Sequence, residues 1–185
     1  MTMQVLLDIG HANHTGASGN GLEEHEVALS IGNALKELLE EAGYKTTLLD
    51  YPTLSNSQDL RQTAIAANRL TTYTDGGTIG ISLHCDASDN AEAHGGHVCY
   101  HPFSTRGQLL ATGIAQHLTK LLPGRANMTV ERPKLYILNA TAAPWVLVEC
   151  GFITNPNDAV IMSTNAKGIA QAIADGVADY VRSQS

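Results

Sequence analysis

The chain has 185 residues, with 11 Lys and Arg against 18 Asp and Glu for a formal charge of −7, and 43% of its residues are hydrophobic. This describes one globular domain that buries about 70% of the surface its unfolded chain exposes, without staples. Negative charge without a basic cluster argues against a nucleic-acid partner, and no apolar run approaches the roughly 18 residues of a membrane span.

Residues 5–9 read as a buried strand. Residues 24–42 read as a helix in which Val27, Ile31, Leu35, Leu38 and Leu39 share a face, stopped by Gly43. A strand returns over 44–49. Asn56 or Ser57 caps a helix that runs through Leu70 with Leu60, Ala64 and Ala67 inward, and Asp75-Gly76-Gly77 turns into a strand over 78–83. A strand near 96–100 and a helix over 104–122 follow, the helix carrying Leu110, Ile114, Leu118 and Leu121 on one stripe and ending at Pro123-Gly124. Residues 135–138 and 145–148 are two further strands. Asn155 caps a helix with Pro156 at its first position, and a last helix over 166–181 uses Ile169, Ile173, Val177 and Tyr180. The alternation predicts an α/β fold: a single domain, residues 1–185, with a twisted, mostly parallel sheet and helices on both faces. Ligands then sit beyond the carboxyl ends of the strands.

Three cysteines, Cys85, Cys99 and Cys150, are too few and of the wrong parity for a disulfide scaffold, which implies a reducing compartment. The first eight residues lack the basic start and apolar stretch of a signal peptide, so the expectation is a chain made in the cytoplasm without one.

Four polar residues fall at strand ends or at a helix start on what should be one sheet edge: His11, Glu24, His84 and Glu149. Two imidazoles and a carboxylate make the usual open zinc site, which leaves a fourth position for water. A second carboxylate then serves proton transfer, and the kit suits hydrolysis of an amide. Bland readings compete with this one. A strand-end histidine can bond a loop backbone, and Glu23, Glu24 and Glu26 all suit the positive end of a helix. Glu149 follows Trp-Val-Leu-Val, where an ionised carboxylate is costly unless paired or tuned.

The series Leu7-Asp8-Ile9-Gly10-His11, then Gly21-x-x-Glu24, then Ile81-Ser82-Leu83-His84-Cys85-Asp86-Ala87, then Val146-Leu147-Val148-Glu149-Cys150-Gly151-Phe152-Ile153-Thr154-Asn155 resembles the zinc-dependent N-acetylmuramoyl-L-alanine amidases of the amidase 3 type. The resemblance implies one Zn2+ ion held by His11, Glu24 and His84, with Glu149 as catalytic acid/base. It implies peptidoglycan or muropeptides as substrate, cut at the amide between N-acetylmuramic acid and L-alanine. It assigns no substrate-binding residues. Missing leader and wall-binding segments suggest a phage-type or prophage-type lysin, with recycling of soluble fragments as the other possibility.

Three departures bear on the site. His11-Ala12-Asn13-His14 replaces a Gly-Gly that often follows the first ligand, so this loop should be less free to take positive φ. Cys85-Asp86 stands where Ala-Asn is common, bringing an acid close to the metal. An arginine often precedes the position of Ala67-Asn68, and Arg61 is the nearest here.

Other groups carry rival readings. His94, His97 and His101 resemble a second metal site, but an exposed strand edge explains them as surface or substrate-facing groups. His14 and His25 read as neighbours of the ligands rather than ligands. Cys85 or Cys150 as a nucleophile activated by His84 or His11 is a rival enzyme mechanism, and a non-catalytic wall-binding module of the same fold is a rival from another class. Tyr136 is placed either against substrate or in the core.

Overall fold

A computed structural model describes residues 3–73, 77–124 and 126–184. The predicted turn at Asp75-Gly76-Gly77 falls largely outside the described residues. Strands β1 (Gln4–Ile9), β4 (Lys45–Leu49), β5 (Thr78–Asp86), β6 (His97–Tyr100), β7 (Thr129–Glu131) and β8 (Trp145–Phe152) form one sheet in the order β4-β1-β5-β8-β6-β7. β4, β1, β5 and β8 run parallel, whereas β6 is antiparallel to β8 and carries β7 parallel to itself. The expected mostly parallel sheet is therefore present. The helices are α1 (Glu24–Glu41), α2 (Asn56–Leu70), α3 (Thr105–Leu121), α4 (Tyr136–Ala140), α5 (Pro156–Thr164) and α6 (Ala166–Ser183).

Period-two alternation divides each central strand between two cores. Val5, Leu7 and Ile9 of β1, Ile79, Ile81 and Leu83 of β5, and Val146 and Val148 of β8 enter the larger core with the apolar stripes of α1, α3 and α6. Leu6, Trp145 and Leu147 enter a smaller one with Ala67 of α2 and Ile137 and Leu138 of α4. Asp8, Ser82, His84 and Glu149 alternate with the larger-core residues, so they belong to the thinner layer under α2 and α4. In the larger core α3 and α6 cross closely, because a Cβ on Gly176 would lie 2.3 Å from Ile114 Cα.

Several boundaries follow the sequence. α1 opens at Glu24 and ends before Gly43 at φ 88°, and Asn155 accepts from the Asn157 and Asp158 amides to cap α5 with Pro156 in its first turn. Others need correction. Residues 135–138 form the start of α4 rather than a strand. Asn139 Nδ2 donates to the Leu135 carbonyl at 3.0 Å and Thr141 Oγ1 to that of Ile137 at 2.7 Å, side-chain bonds that favour a helical turn over extension. α2 is capped by Ser55, whose capping box with Gln58 satisfies two helix-start donors, and its buried face is Asp59, Thr63, Ala64 and Ala67. β7, three residues long, and a two-residue hairpin of β2 (Ser18–Gly19) and β3 (Leu22–Glu23) are too short to show a periodicity. Among the described residues, no helix is long and apolar enough to cross a membrane.

Candidate active site

β1 and β5 are parallel neighbours that deliver His11 and His84 to the same sheet edge, and α1 presents Glu24 from its first turn. His84 Nδ1 lies 3.1 Å from Glu24 Oε1 and His11 Nε2 lies 3.6 Å from it. The two imidazoles meet edge to face with centroids 5.1 Å apart. One donor atom from each of the three residues lies within 4.8 Å of the others. This is a candidate metal site of two nitrogens and one oxygen, a donor set that suits zinc.

Glu24 is held hard in place. Its Oε1 accepts from the Cys85 amide at 3.0 Å and its Oε2 from the Ala17 amide at 2.8 Å. Burial pushes its carboxyl up, but the His84 contact and the two amides outweigh that and leave it below the usual carboxylate range, so it stays an anionic donor. Burial lowers the pKa of His11 and would lower that of His84, but for His84 the bond to Glu24 and the charges of Glu149 and Glu24 win and raise it. His11 Nδ1 is buried without a hydrogen-bond partner.

Glu149 is the register partner of His84 on β8 and of His97 on β6. Its Oε2 is buried and unpartnered, and burial pushes the carboxyl up to about 7, with Asp86 and Glu24 adding repulsion against the attraction of His84. The structure thus gathers His11, Glu24 and His84 in direct contact and sets Glu149 on the strand beside them.

The loop after β1 contradicts the expectation drawn from its missing glycines. His11, Asn13 and His14 take φ of 54°, 67° and 53°, so a left-handed path is kept without glycine, by residue types that adopt it more often than other side chains do. His25 helps hold it, with Nδ1 3.0 Å from the Gly10 carbonyl. His14 is exposed and bonds Glu23 at 2.8 Å. Gly10 itself has a steric role, since a Cβ there would lie 2.5 Å from His84 Cε1. Gly10→Ala is therefore expected to displace the imidazole and weaken zinc binding by about tenfold or more with unchanged far-ultraviolet circular dichroism, as measured by competition with a chromogenic chelator.

The other candidates separate cleanly. β6 is an interior strand between β8 and β7, not the exposed edge expected, and His97 on it is 1% exposed. His101 lies beyond the far end of β6 against Phe103, beside a cavity of about 480 Å³ that reaches Trp145 at the start of β8. His94 is exposed with Nδ1 2.6 Å from the Glu92 carbonyl. Cys85 and Cys150 sit in the larger core, on the sheet face opposite His84 and Glu149, and burial pushes both thiols up. Neither is a poised nucleophile. Arg61 is exposed on α2, and the inward position is Thr63, whose hydroxyl donates to Asp8 at 3.2 Å.

Sequence reasoning missed the polar layer behind the ligands. Asp8 is 3% exposed and accepts from Thr63 and Ser82. Asp59 is also 3% exposed, with Oδ1 unpartnered, and burial and the charges of Asp8 and Asp50 push it up to about 7. A carboxylate inside the apolar run of β1 was the available signal for Asp8. For Asp59 the signal was its spacing from Thr63 and Ala67, four and eight residues on.

The chain is 30% identical to N-acetylmuramoyl-L-alanine amidase LytC of Bacillus subtilis over 96% of its length, and spans 35% of that protein. Against solved structures it matches amidase AmiC2 of Nostoc punctiforme with a TM-score of 0.81 at 26% identity, covering 97% of each chain. It matches the catalytic domain of the CD27L endolysin, which targets Clostridia difficile, with a TM-score of 0.84 at 25% identity, covering 95% of this chain and 97% of that one. The Amidase_3 model, described as N-acetylmuramoyl-L-alanine amidase, matches residues 5–179, so the chain belongs to that family.

Proposed function

We propose that this chain is a catalytic domain that hydrolyses the amide between N-acetylmuramic acid and L-alanine in peptidoglycan, with one zinc ion held by His11, Glu24 and His84. The carrying observation is the convergence of those three donors beside a carboxylate, Glu149, one of whose oxygens is buried and unpartnered. The family is zinc-dependent, and the orphaned His11 Nδ1 and anionic Glu24 fit a cation.

Bound zinc supplies Lewis acidity, polarising a carbonyl and acidifying water. The chain's own residues do the rest. Glu24, clamped by two backbone amides and in contact with both imidazoles, fixes the donor geometry. Glu149 takes a proton from the attacking water and returns it to the departing amine. Burial strengthens its hold on a proton, which suits a group that must take one up and give it back. Breaking the C–N bond releases a muramic carboxylate and a peptide with a new L-alanine amino terminus.

The test is release of amino termini from purified peptidoglycan and from soluble muropeptides, before and after chelation and with zinc restored. Loss of at least 90% of the rate on chelation and its return with zinc are expected. Full activity without metal would discard the mechanism, and activity on soluble muropeptides alone would exclude intact wall as substrate.

A further inference from the structure

At the opposite end of the sheet from His11, His84 and Glu149, a cavity of about 480 Å³ lies between the start of α3, the segment after α4 and Trp145, the first residue of β8. Trp145 stands four residues before Glu149, about 13 Å along the strand, so one small ligand cannot fill both sites. A second hollow of about 190 Å³ shares Tyr73, Arg106, Ala143 and Pro144 with the cavity, which makes a groove that runs past Arg106. A groove of this form suits a chain molecule better than a compact one.

Two side chains of the groove are exposed yet held in place. Phe103 is 91% exposed, but its ring rests on His101 with centroids 5.6 Å apart and its amide donates to His101 Nδ1 at 3.3 Å. Arg106 Nε donates at 3.0 Å to the hydroxyl of the buried Tyr180, which fixes the guanidinium. The chain carries a net charge of −7, but among the described residues lining the groove none is Asp or Glu, and the first turn of α3 has no acid either. Arg106 and the positive end of α3 therefore act together on whatever enters. The ligand that fits offers an apolar ring face to Phe103 and a carboxylate to a planar guanidinium.

We propose that the groove is an exosite for the glycan strand left after amide cleavage, with the face of a pyranose ring on Phe103 and the freed carboxylate of N-acetylmuramic acid on Arg106. The uncut strand carries that carboxyl as a neutral amide, so the groove distinguishes product glycan from substrate glycan, a point that rests on the amide-hydrolase reading. A strand already stripped of its peptides then holds the enzyme beside repeats still to be cut.

Two-dimensional NMR on the zinc-loaded Glu149→Gln protein, whose turnover should be too slow to interfere, tests the groove. The indole N–H of Trp145, the single tryptophan, and the amides of residues 103–107 report it separately from the signals around His11. The probes are the disaccharide of N-acetylglucosamine and N-acetylmuramic acid with its carboxyl free, and the same disaccharide as its neutral methylamide. Read from the groove signals, the acid should bind about tenfold more tightly than the amide. Phe103→Ala and Arg106→Gln should each weaken that binding about fivefold or more, and Phe103→Tyr, which keeps an aromatic face, should retain it. If Arg106→Gln fails to fold, Phe103→Ala decides. No shift of the groove signals, equal affinity for acid and amide, or affinity unchanged in the folded Phe103→Ala and Arg106→Gln variants overturns the proposal. Absence of turnover by the zinc-loaded wild type on peptidoglycan and muropeptides would instead overturn the hydrolase reading, and the titration would still decide whether the groove takes the acidic disaccharide.

Discussion

Glu149→Gln is expected to lower turnover by about 10³-fold while zinc binding is retained, because the amide keeps the shape of the side chain but holds no transferable proton. The same substitution should stabilise the metal-free protein at alkaline pH. In the fold the Glu149 carboxyl holds its proton up to about 7, against 4.5 as its ordinary value. Between those two pH values the folded state binds more protons than the unfolded one, so stability falls as pH rises through the window. Above it the wild type carries a buried carboxylate costing about 2 kcal/mol, which is the shift reduced for partial solvent access. Denaturant titrations of the two metal-free proteins at pH 4 and pH 8 check this. The Gln variant should lead only at pH 8, and an equal gap at both would mean that Glu149 is not a strained acid.

Gly80→Ala should cost about 3 kcal/mol, since a Cβ there would stand 1.8 Å from Cε3 of the Trp145 indole, which is 2% exposed. The indole of the first β8 residue lies across the β5 backbone and anchors the smaller core, so its displacement should also loosen the α2 and α4 layer. Shorter Trp145→Leu alone should destabilise by a similar amount through the cavity it leaves. Combining the two should recover part of the loss, and a double-mutant cycle in urea measures that coupling. Strict additivity would mean that the two side chains do not compete for one space.

The central strands were legible because their interiors alternate between two cores without a break, and the helices because Val27, Ile31 and Leu35 or Ile169, Ile173 and Val177 recur at helical spacing. His11, His84 and Glu149 could be picked out because each sits at or just past a strand whose end was already clear, whereas the family resemblance singled out Glu24 from Glu23 and Glu26. What escaped was set by tertiary contact. The apolar segment from Leu135 to Leu138 has no period to choose helix over strand, and in the fold its helical turn packs Ile137 and Leu138 into the smaller core. His97 looked exposed because nothing local to residues 129–131 announces the short strand that makes β6 interior to the sheet. The left-handed path of His11, Asn13 and His14 was missed because glycine was taken as its sign, whereas Asn and His also adopt it.

The distribution of the donors along the chain has a kinetic consequence. Glu24 and His84 are 60 residues apart and their contact needs β1, β5 and α1 already docked, so no early, locally folded segment holds a metal site. With zinc held there as proposed, the ion would meet its ligands only once those three elements have docked, late in folding. In stopped-flow measurements it should leave the refolding limb in place and slow the unfolding limb, acting as a latch on a finished fold rather than as a nucleus for it.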